Sequence, residues 1–216
     1  MSERLQDISE AKLCSRARSA CRVPKLFSKY SLDGMVDGGE EDYRAAMNRI
    51  REIIDESILT AKFRDEPIFV DINGPFGSGK TRSGVCMVKA AYRGLFERFW
   101  IKACETPLFI TAKNLVELRF GKSWNRDEDD DAQDELREQV MKSEFLLIDD
   151  LGRLPGYKGE VGYLESIIDH RWGEALSTVV TTSRSEGNYP ARIEDLLKYF
   201  ETIFFVAESF RGKSNV

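Results

Sequence analysis

One histidine in 216 residues, His170, and four cysteines without a C-x-x-C spacing leave little from which to build a zinc site. Cys86 and Cys104 fall in helix-like and pre-strand contexts and are expected as core or near-core thiols. Cys14 and Cys21 lie seven apart, on one face of a helix if one forms, and inert packing is favoured there over a disulfide. No apolar run approaches the length of a membrane span, and the polar N-terminus is unlike a secretory signal. The expectation is a soluble, cytoplasmic protein with no membrane partner. Net positive charge is missing too: 32 Lys and Arg against 37 Asp and Glu give −5, so nothing global marks a nucleic-acid binder. The average conceals an asymmetry. From Ala11 to Leu32 there is no acid, yet Lys12, Arg16, Arg18, Arg22, Lys25 and Lys29 are all there, whereas Asp127-Glu128-Asp129-Asp130-Asp131 runs on through Asp134 and Glu135.

What is present is a phosphate loop. Gly74-Pro75-Phe76-Gly77-Ser78-Gly79-Lys80-Thr81 fits G-x-x-x-x-G-K-[ST] without mismatch, directly after the apolar run Ile68-Phe69-Val70-Asp71-Ile72. Glycines let the backbone curl so that successive N–H groups face phosphate oxygens. Lys80 supplies charge to the β- and γ-phosphates, and Thr81 offers a hydroxyl to Mg²⁺. The helix that follows, with Arg82 in its first turn, presents its positive end to the same anion. A Gly-rich turn with an incidental lysine is the bland alternative, and the strand-before, helix-after context argues against it. The whole loop, residues 74–81 with Arg82, is read as the nucleotide-binding segment, for ATP with Mg²⁺.

Along the chain, residues 1–40 read as a basic N-terminal extension, with a helix up to Cys21 stopped by Pro24 and a glycine-rich joint at Asp33–Gly39. A helix from about Glu40 to Lys62 carries Ala46, Met47, Ile50, Ile53, Ile54, Ile58 and Leu59 in one stripe. Strands are expected at 68–73, 108–111, 145–148, 178–182 and 202–206. Helices are expected at about 79–97, 114–120, 134–142, 162–172 and 193–200. This alternation over 41–216 predicts a three-layer α-β-α P-loop NTPase core with a parallel five-stranded sheet.

Phe145-Leu146-Leu147-Ile148-Asp149-Asp150 ends an apolar strand in two acids, a costly arrangement unless they face a cation or ordered water. Beside a phosphate loop, Asp149 can hold the Mg²⁺ shell, and Asp150 can orient the attacking water as the catalytic acid-pair member, with Lys80 stabilising charge. An Asp reaches less far than a Glu, which predicts slow hydrolysis. Thr178-Val179-Val180-Thr181-Thr182 then leads to Ser183. A polar residue at the tip of that strand, Thr182 or Ser183, can approach the γ-phosphate; a solvated strand end is the alternative.

Together these segments resemble the AAA+ ATPases of the DnaC/IstB type, the replicative helicase loaders and transposition helper ATPases. The likeness is carried by Arg22-Val23-Pro24-Lys25-Leu26-Phe27, by Leu108–Arg119 as the strand–helix step, by Leu146–Gly152 as the acidic strand, and by Leu164–Trp172 running into Thr178–Ser183. It spans about residues 22 to 212. It implies ATP and Mg²⁺, nucleotide-dependent self-association, a replicative helicase as partner, and single-stranded DNA. Arg211, in Glu208-Ser209-Phe210-Arg211, matches an arginine that senses nucleotide in its own subunit, and the core is expected to carry little or no helical lid. Two positions depart from the pattern: Arg184 stands where the family has asparagine, and Leu196 where an arginine reaches into the neighbouring subunit. Arg171 and Arg192 remain as candidate trans-acting arginines.

Softer signals stay open. The 12–29 basic stretch can meet DNA phosphates, an acidic partner surface, or only solvent. Arg119, Lys122, Trp124 and Arg126 suit stacking on single-stranded nucleic acid, although the acids from Asp127 onward oppose it. The lone His170 reads as a surface or packing residue. The functional expectations are therefore a helicase loader with ATPase activity, a transposition helper, or a nucleotide-binding adaptor with little turnover.

Overall fold

A computed structural model of the protein describes residues 17, 19–27, 41–99, 102–120, 130–153, 158–183 and 191–206. Five strands form one sheet: β1 Phe69–Asn73, β2 Leu108–Thr111, β3 Phe145–Asp149, β4 Ser177–Thr182 and β5 Glu201–Phe204. All are parallel, in the order β2-β3-β4-β1-β5. The central strands β3 and β4 are buried at every position, which is why their sequences are nearly continuous in Val, Ile, Leu and Thr rather than alternating.

Among the described residues, α-helices α1 Glu41–Ile53, α2 Lys80–Arg98, α3 Ala112–Phe120, α4 Asp130–Lys142, α5 Lys158–Gly173 and α6 Ala191–Leu197 connect and cover the strands. Side-chain alternation divides the core in two. Val70, Ile72, Leu147 and Val179 pack with α1 and α2, whereas Leu146, Ile148 and Val180 pack with Leu115 of α3, Val140 of α4, Leu164, Ile167 and Ile168 of α5, and Ile193 of α6. The architecture is the three-layer α-β-α fold read from the alternation of elements, with β4 lying between the loop-bearing β1 and the acidic β3.

Local differences from the sequence reading have local causes. The helix expected from about Glu40 to Lys62 is α-helical only to Ile53. It widens into a π turn at Ile54–Ile58, with Leu59 N donating to Ile54 O at 2.8 Å, and ends at Ala61 in a left-handed conformation. α2 crosses so close to this turn that a Cβ on Gly94 would lie 2.4 Å from Ile58 O. α4 starts at Asp130, earlier than the expected Asp134.

The described part of the N-terminal extension is folded onto the core. Ala17, Cys21 and Val23 are buried, Phe109 N on edge strand β2 donates to Cys21 O at 2.9 Å, and Phe27 packs on Phe109. Burial pushes the Cys21 thiol far up, as fits an inert packing residue. Cys86 is buried and Cys104 half-buried, both as free thiols; Cys14 lies outside the described residues. Among the described residues no helix is long and apolar enough to cross a membrane.

Candidate nucleotide site

The loop forms at the C-terminal end of β1, where a parallel sheet presents its ligand sites. Gly74, Gly77 and Gly79 all have positive φ, at 154°, 79° and 100°. Gly74 is also sterically required: a Cβ there would lie 2.5 Å from Phe205 O, because Phe205 N bonds back to Asn73 O at 2.7 Å. The chain leaves β1 by squeezing past the end of β5 and then curls into α2, whose first residue is Lys80.

Lys80 Nζ reaches back over the loop to Gly74 O at 2.8 Å and Pro75 O at 2.7 Å, so the ammonium stands at the mouth of the curl. Ser78 is fully buried, and its Oγ meets no hydrogen-bond partner among the described residues. A buried hydroxyl without a partner is unfavourable, and Ser78 holds one within the glycine-rich curl. Phe76 is exposed on the outside of the loop, and Arg82 is half-buried in the first turn of α2.

The second half of the site comes from β3 and β4. Asp149 Oδ1 accepts from Thr81 Oγ1 at 2.9 Å and from Thr181 Oγ1 at 2.7 Å. The Thr181 oxygen in turn accepts from Asp150 N at 2.8 Å. One hydroxyl thus ties the Asp149 carboxylate to the Asp150 backbone, and Asp149 also touches the phosphate-loop threonine. Burial pushes the Asp149 carboxyl above the usual carboxylate range, opposed by the Thr181 and Thr81 hydroxyls and by Lys80, and reinforced by the nearby Asp150. A buried carboxylate in this state gains most from a cation, and Thr81 with Asp149 is the oxygen pair that a Mg²⁺ completed by water and phosphate would need. The residues fit the ion.

Asp150 has a φ of 60°. Aspartate tolerates the left-handed region better than glutamate does, because its short side chain bonds locally. The backbone at this turn therefore accounts for Asp where a longer acid would reach further.

Thr181 was not singled out in the sequence, although the Thr-Thr doublet ending β4 was the available signal: consecutive strand residues face opposite sides. Thr181 faces Asp149, and Thr182 turns away from the acid pair to donate to Asp71 Oδ1 at 2.6 Å. Of the two candidates for the strand tip, Ser183 is the one left at the end of β4, half-buried. Arg184, Arg211, Lys122, Trp124 and Arg126 lie outside the described residues, as do Lys12, Arg16, Arg18 and Lys29.

Arg171 requires a correction. It is fully buried at the end of α5, and its guanidinium is saturated from within its own subunit. Nε donates to Thr178 Oγ1 at 2.9 Å, Nη1 to Val140 O at 2.9 Å and Ser143 Oγ at 3.2 Å, and Nη2 to Ser143 O at 2.9 Å and Ser177 O at 2.8 Å. These partners lie where β3 and β4 begin, whereas the phosphate loop is at the strands' far ends, roughly 16 Å away along β4. Arg171 caps the C-terminus of α4 and joins it to the sheet; it cannot reach a neighbour's nucleotide. Arg192 is different, with its side chain 81% exposed and only a 3.4 Å ion pair to Glu165 on α5.

No protein-family model and no curated protein matches the sequence. Solved structures do match its fold. The crystal structure of the DnaC helicase loader aligns with a TM-score of 0.61 at 20% identity, over 85% of this chain and all of that one. DnaI gives 0.61 at 19% identity, over 90% of this chain and 98% of its own. The replication initiator DnaA bound to AMPPCP and single-stranded DNA gives 0.56 at 17% identity, and the match spans half of that longer chain. At such identities the likeness is one of fold. The chain shares the three-layer α-β-α fold of these structures, and in it the phosphate loop follows β1 and the acid pair ends β3.

Proposed function

We propose that the protein is an ATP-dependent loader of a replicative helicase, binding ATP with Mg²⁺ and single-stranded DNA and assembling with copies of itself when nucleotide is bound. The observation that carries the nucleotide part is the chain of contacts Thr81–Asp149–Thr181–Asp150, at 2.7 to 2.9 Å, immediately beside Lys80. In that site the glycine-rich backbone and Lys80 bind the triphosphate, Thr81 and Asp149 hold Mg²⁺, and Asp150 orients the attacking water. When bound by Thr81 and Asp149, Mg²⁺ would supply charge neutralisation to the phosphates. Self-association is supported by Arg192, exposed on α6 and available to an adjoining subunit. The helicase and DNA parts rest on the likeness to DnaC, DnaI and single-stranded-DNA-bound DnaA, and on the basic segment preceding the core.

A second reading has its own observation. With Arg171 committed to the interior and Leu196 in place of an arginine, Arg192 is the remaining candidate to complete a neighbour's site. That favours a nucleotide-binding adaptor of low turnover, or a transposition helper of the same fold. The test is phosphate release with and without single-stranded DNA and a hexameric helicase, for wild type and Lys80→Ala. DNA- or helicase-stimulated hydrolysis lost in Lys80→Ala is the expected result. Tight nucleotide binding with no hydrolysis under any condition would favour the adaptor.

A further inference from the structure

Strand β1 contains a residue that neither the phosphate loop nor the acid pair accounts for. Asp71 lies in the middle of β1, between the apolar Val70 and Ile72, and is fully buried. Its neighbours across the sheet are Val180 on β4 and Thr202 on β5. A valine or isoleucine would suit such a position, as at the flanking Val70 and Ile72, since a carboxylate loses its hydration there. The carboxylate is engaged instead: Thr182 Oγ1 donates to Asp71 Oδ1 at 2.6 Å, and Asn73, on the same face of β1, is paired in register with Thr182.

The consequence is a strand end held from both faces. Thr181 is tied on one side to Asp149 at 2.7 Å and to the Asp150 N–H at 2.8 Å; Thr182 is tied on the other side to Asp71. Ser183 follows at once. Asp71 is two residues from Asn73, which leads into Gly74, so the residue gripping the tip of β4 lies on the strand that launches the phosphate loop.

The geometry points to Asp71 as a positioning residue that fixes the tip of β4, and with it Ser183 and the Thr181-bound acid pair, relative to the phosphate loop, so that the site distinguishes ATP from ADP. This inference rests on the nucleotide site proposed above. Asp71 does not touch nucleotide; it acts through Thr182. The chemical group being read is the terminal phosphate of a nucleoside triphosphate, whose presence or absence is then transmitted along β4 and β1 together.

Replacing Asp71 by Val removes the acceptor and suits the strand, whereas Asp71→Asn keeps an oxygen in place. The experiment measures equilibrium binding of fluorescent ATP and ADP analogues with Mg²⁺, steady-state hydrolysis and melting temperature for wild type, Asp71→Val, Asp71→Asn and Thr182→Val. In Asp71→Val the preference for ATP over ADP is expected to collapse towards unity and kcat to fall about 10- to 100-fold, the scale of an ångström-level misplacement. ADP binding stays within about threefold of wild type, because uniform binding is untouched. Asp71→Asn recovers most of both losses, Thr182→Val reproduces them, and the double variant is no worse than either single one. A role in folding alone would lower melting temperature and both affinities in parallel without rescue, and that result overturns the proposal. An unchanged ATP-to-ADP preference in folded Asp71→Val or Thr182→Val also overturns it, whether or not wild type hydrolyses ATP. A wild type that binds neither nucleotide overturns the nucleotide site itself, which the wild-type measurement shows before any variant is compared.

Discussion

The two ends of the sheet both bury charge, and they handle it in opposite ways. Where β3 and β4 begin, Arg171 distributes its guanidinium over three backbone carbonyls and two hydroxyls, with every acceptor at 3.2 Å or less. Where the strands end, Asp149 is buried with its charged form disfavoured, Ser78 Oγ has no partner among the described residues, and Asp150 and the loop glycines hold positive φ. The first end is finished by the chain itself. The second is where the proposed nucleotide and its Mg²⁺ would supply an anion for the loop and a cation for the acid. Saturation marks a structural charge, and incompleteness marks a binding one.

The largest effect that sharpens this contrast is expected at the saturated end. Arg171→Ala strands the Val140, Ser143 and Ser177 carbonyls in the interior and should cost about 3–5 kcal/mol of stability. Arg171→Lys should recover little of it, because a compact ammonium cannot serve a five-donor fork. Urea unfolding reads both. Any folded fraction should hydrolyse ATP normally, and subunit-mixing assays should show no trans defect. A stable Arg171→Ala protein deficient only in trans would restore the arginine to an intersubunit role.

Next in size is Asp150. Asp150→Gly accepts the left-handed backbone while deleting the carboxylate, and should lower kcat by about 100-fold or more if Asp150 orients the water. Asp150→Glu adds reach at a conformational cost of roughly 1 kcal/mol, so its rate should rise less than side-chain length alone suggests. Phosphate-release kinetics check both variants; wild-type rates in Asp150→Gly would remove the residue from the chemistry.

A smaller effect follows from Asp149. Burial raises its folded-state pKa above the ordinary aspartate value of 3.8. The nucleotide-free protein is therefore favoured at pH below 3.8, and that advantage is lost as pH rises through the raised folded-state value. At neutral pH Asp149→Asn should melt at a higher temperature than wild type, and the difference should shrink as pH falls towards 3.8, while Mg²⁺-dependent hydrolysis is lost. Thermal melts from pH 4 to 8 with phosphate-release assays report both outcomes; a destabilised Asp149→Asn at neutral pH would contradict the account.

The contrast between the ends also explains what could be read from the chain alone. The phosphate loop is contiguous and compositionally narrow, and the acidic strand ends abruptly in Asp149-Asp150, so both were legible from residue types. Alternation of strand and helix announced a parallel, helix-covered sheet, but the order of its strands came only from the structure. Arg171 misled because sequence spacing locates an arginine at a helix end but does not reveal whether that end points to solvent or to Ser143 and Ser177. Thr181 and Asp71 were illegible for a related reason. Their roles arise from pairing across strands more than 30 residues apart, and no local pattern encodes that register. The π turn at Ile54–Ile58 lies within an unbroken helical stripe, so periodicity carried straight through it.

At the carboxyl end of the sheet the proposed event is nucleotide binding. Its most direct test is the melting-temperature shift on adding Mg²⁺–ATP to wild type, Lys80→Ala and a folded Arg171 variant. At ligand a hundredfold above Kd, binding adds about 2.7 kcal/mol of stability, which corresponds to roughly 5–10 °C for a domain of this size. Wild type and the Arg171 variant should both shift upwards by that amount. Lys80→Ala, with its charge-assisted phosphate contacts removed, should bind about 10- to 100-fold more weakly and shift far less at the same concentration. Equal shifts in wild type and Lys80→Ala, or none in wild type, would contradict the account.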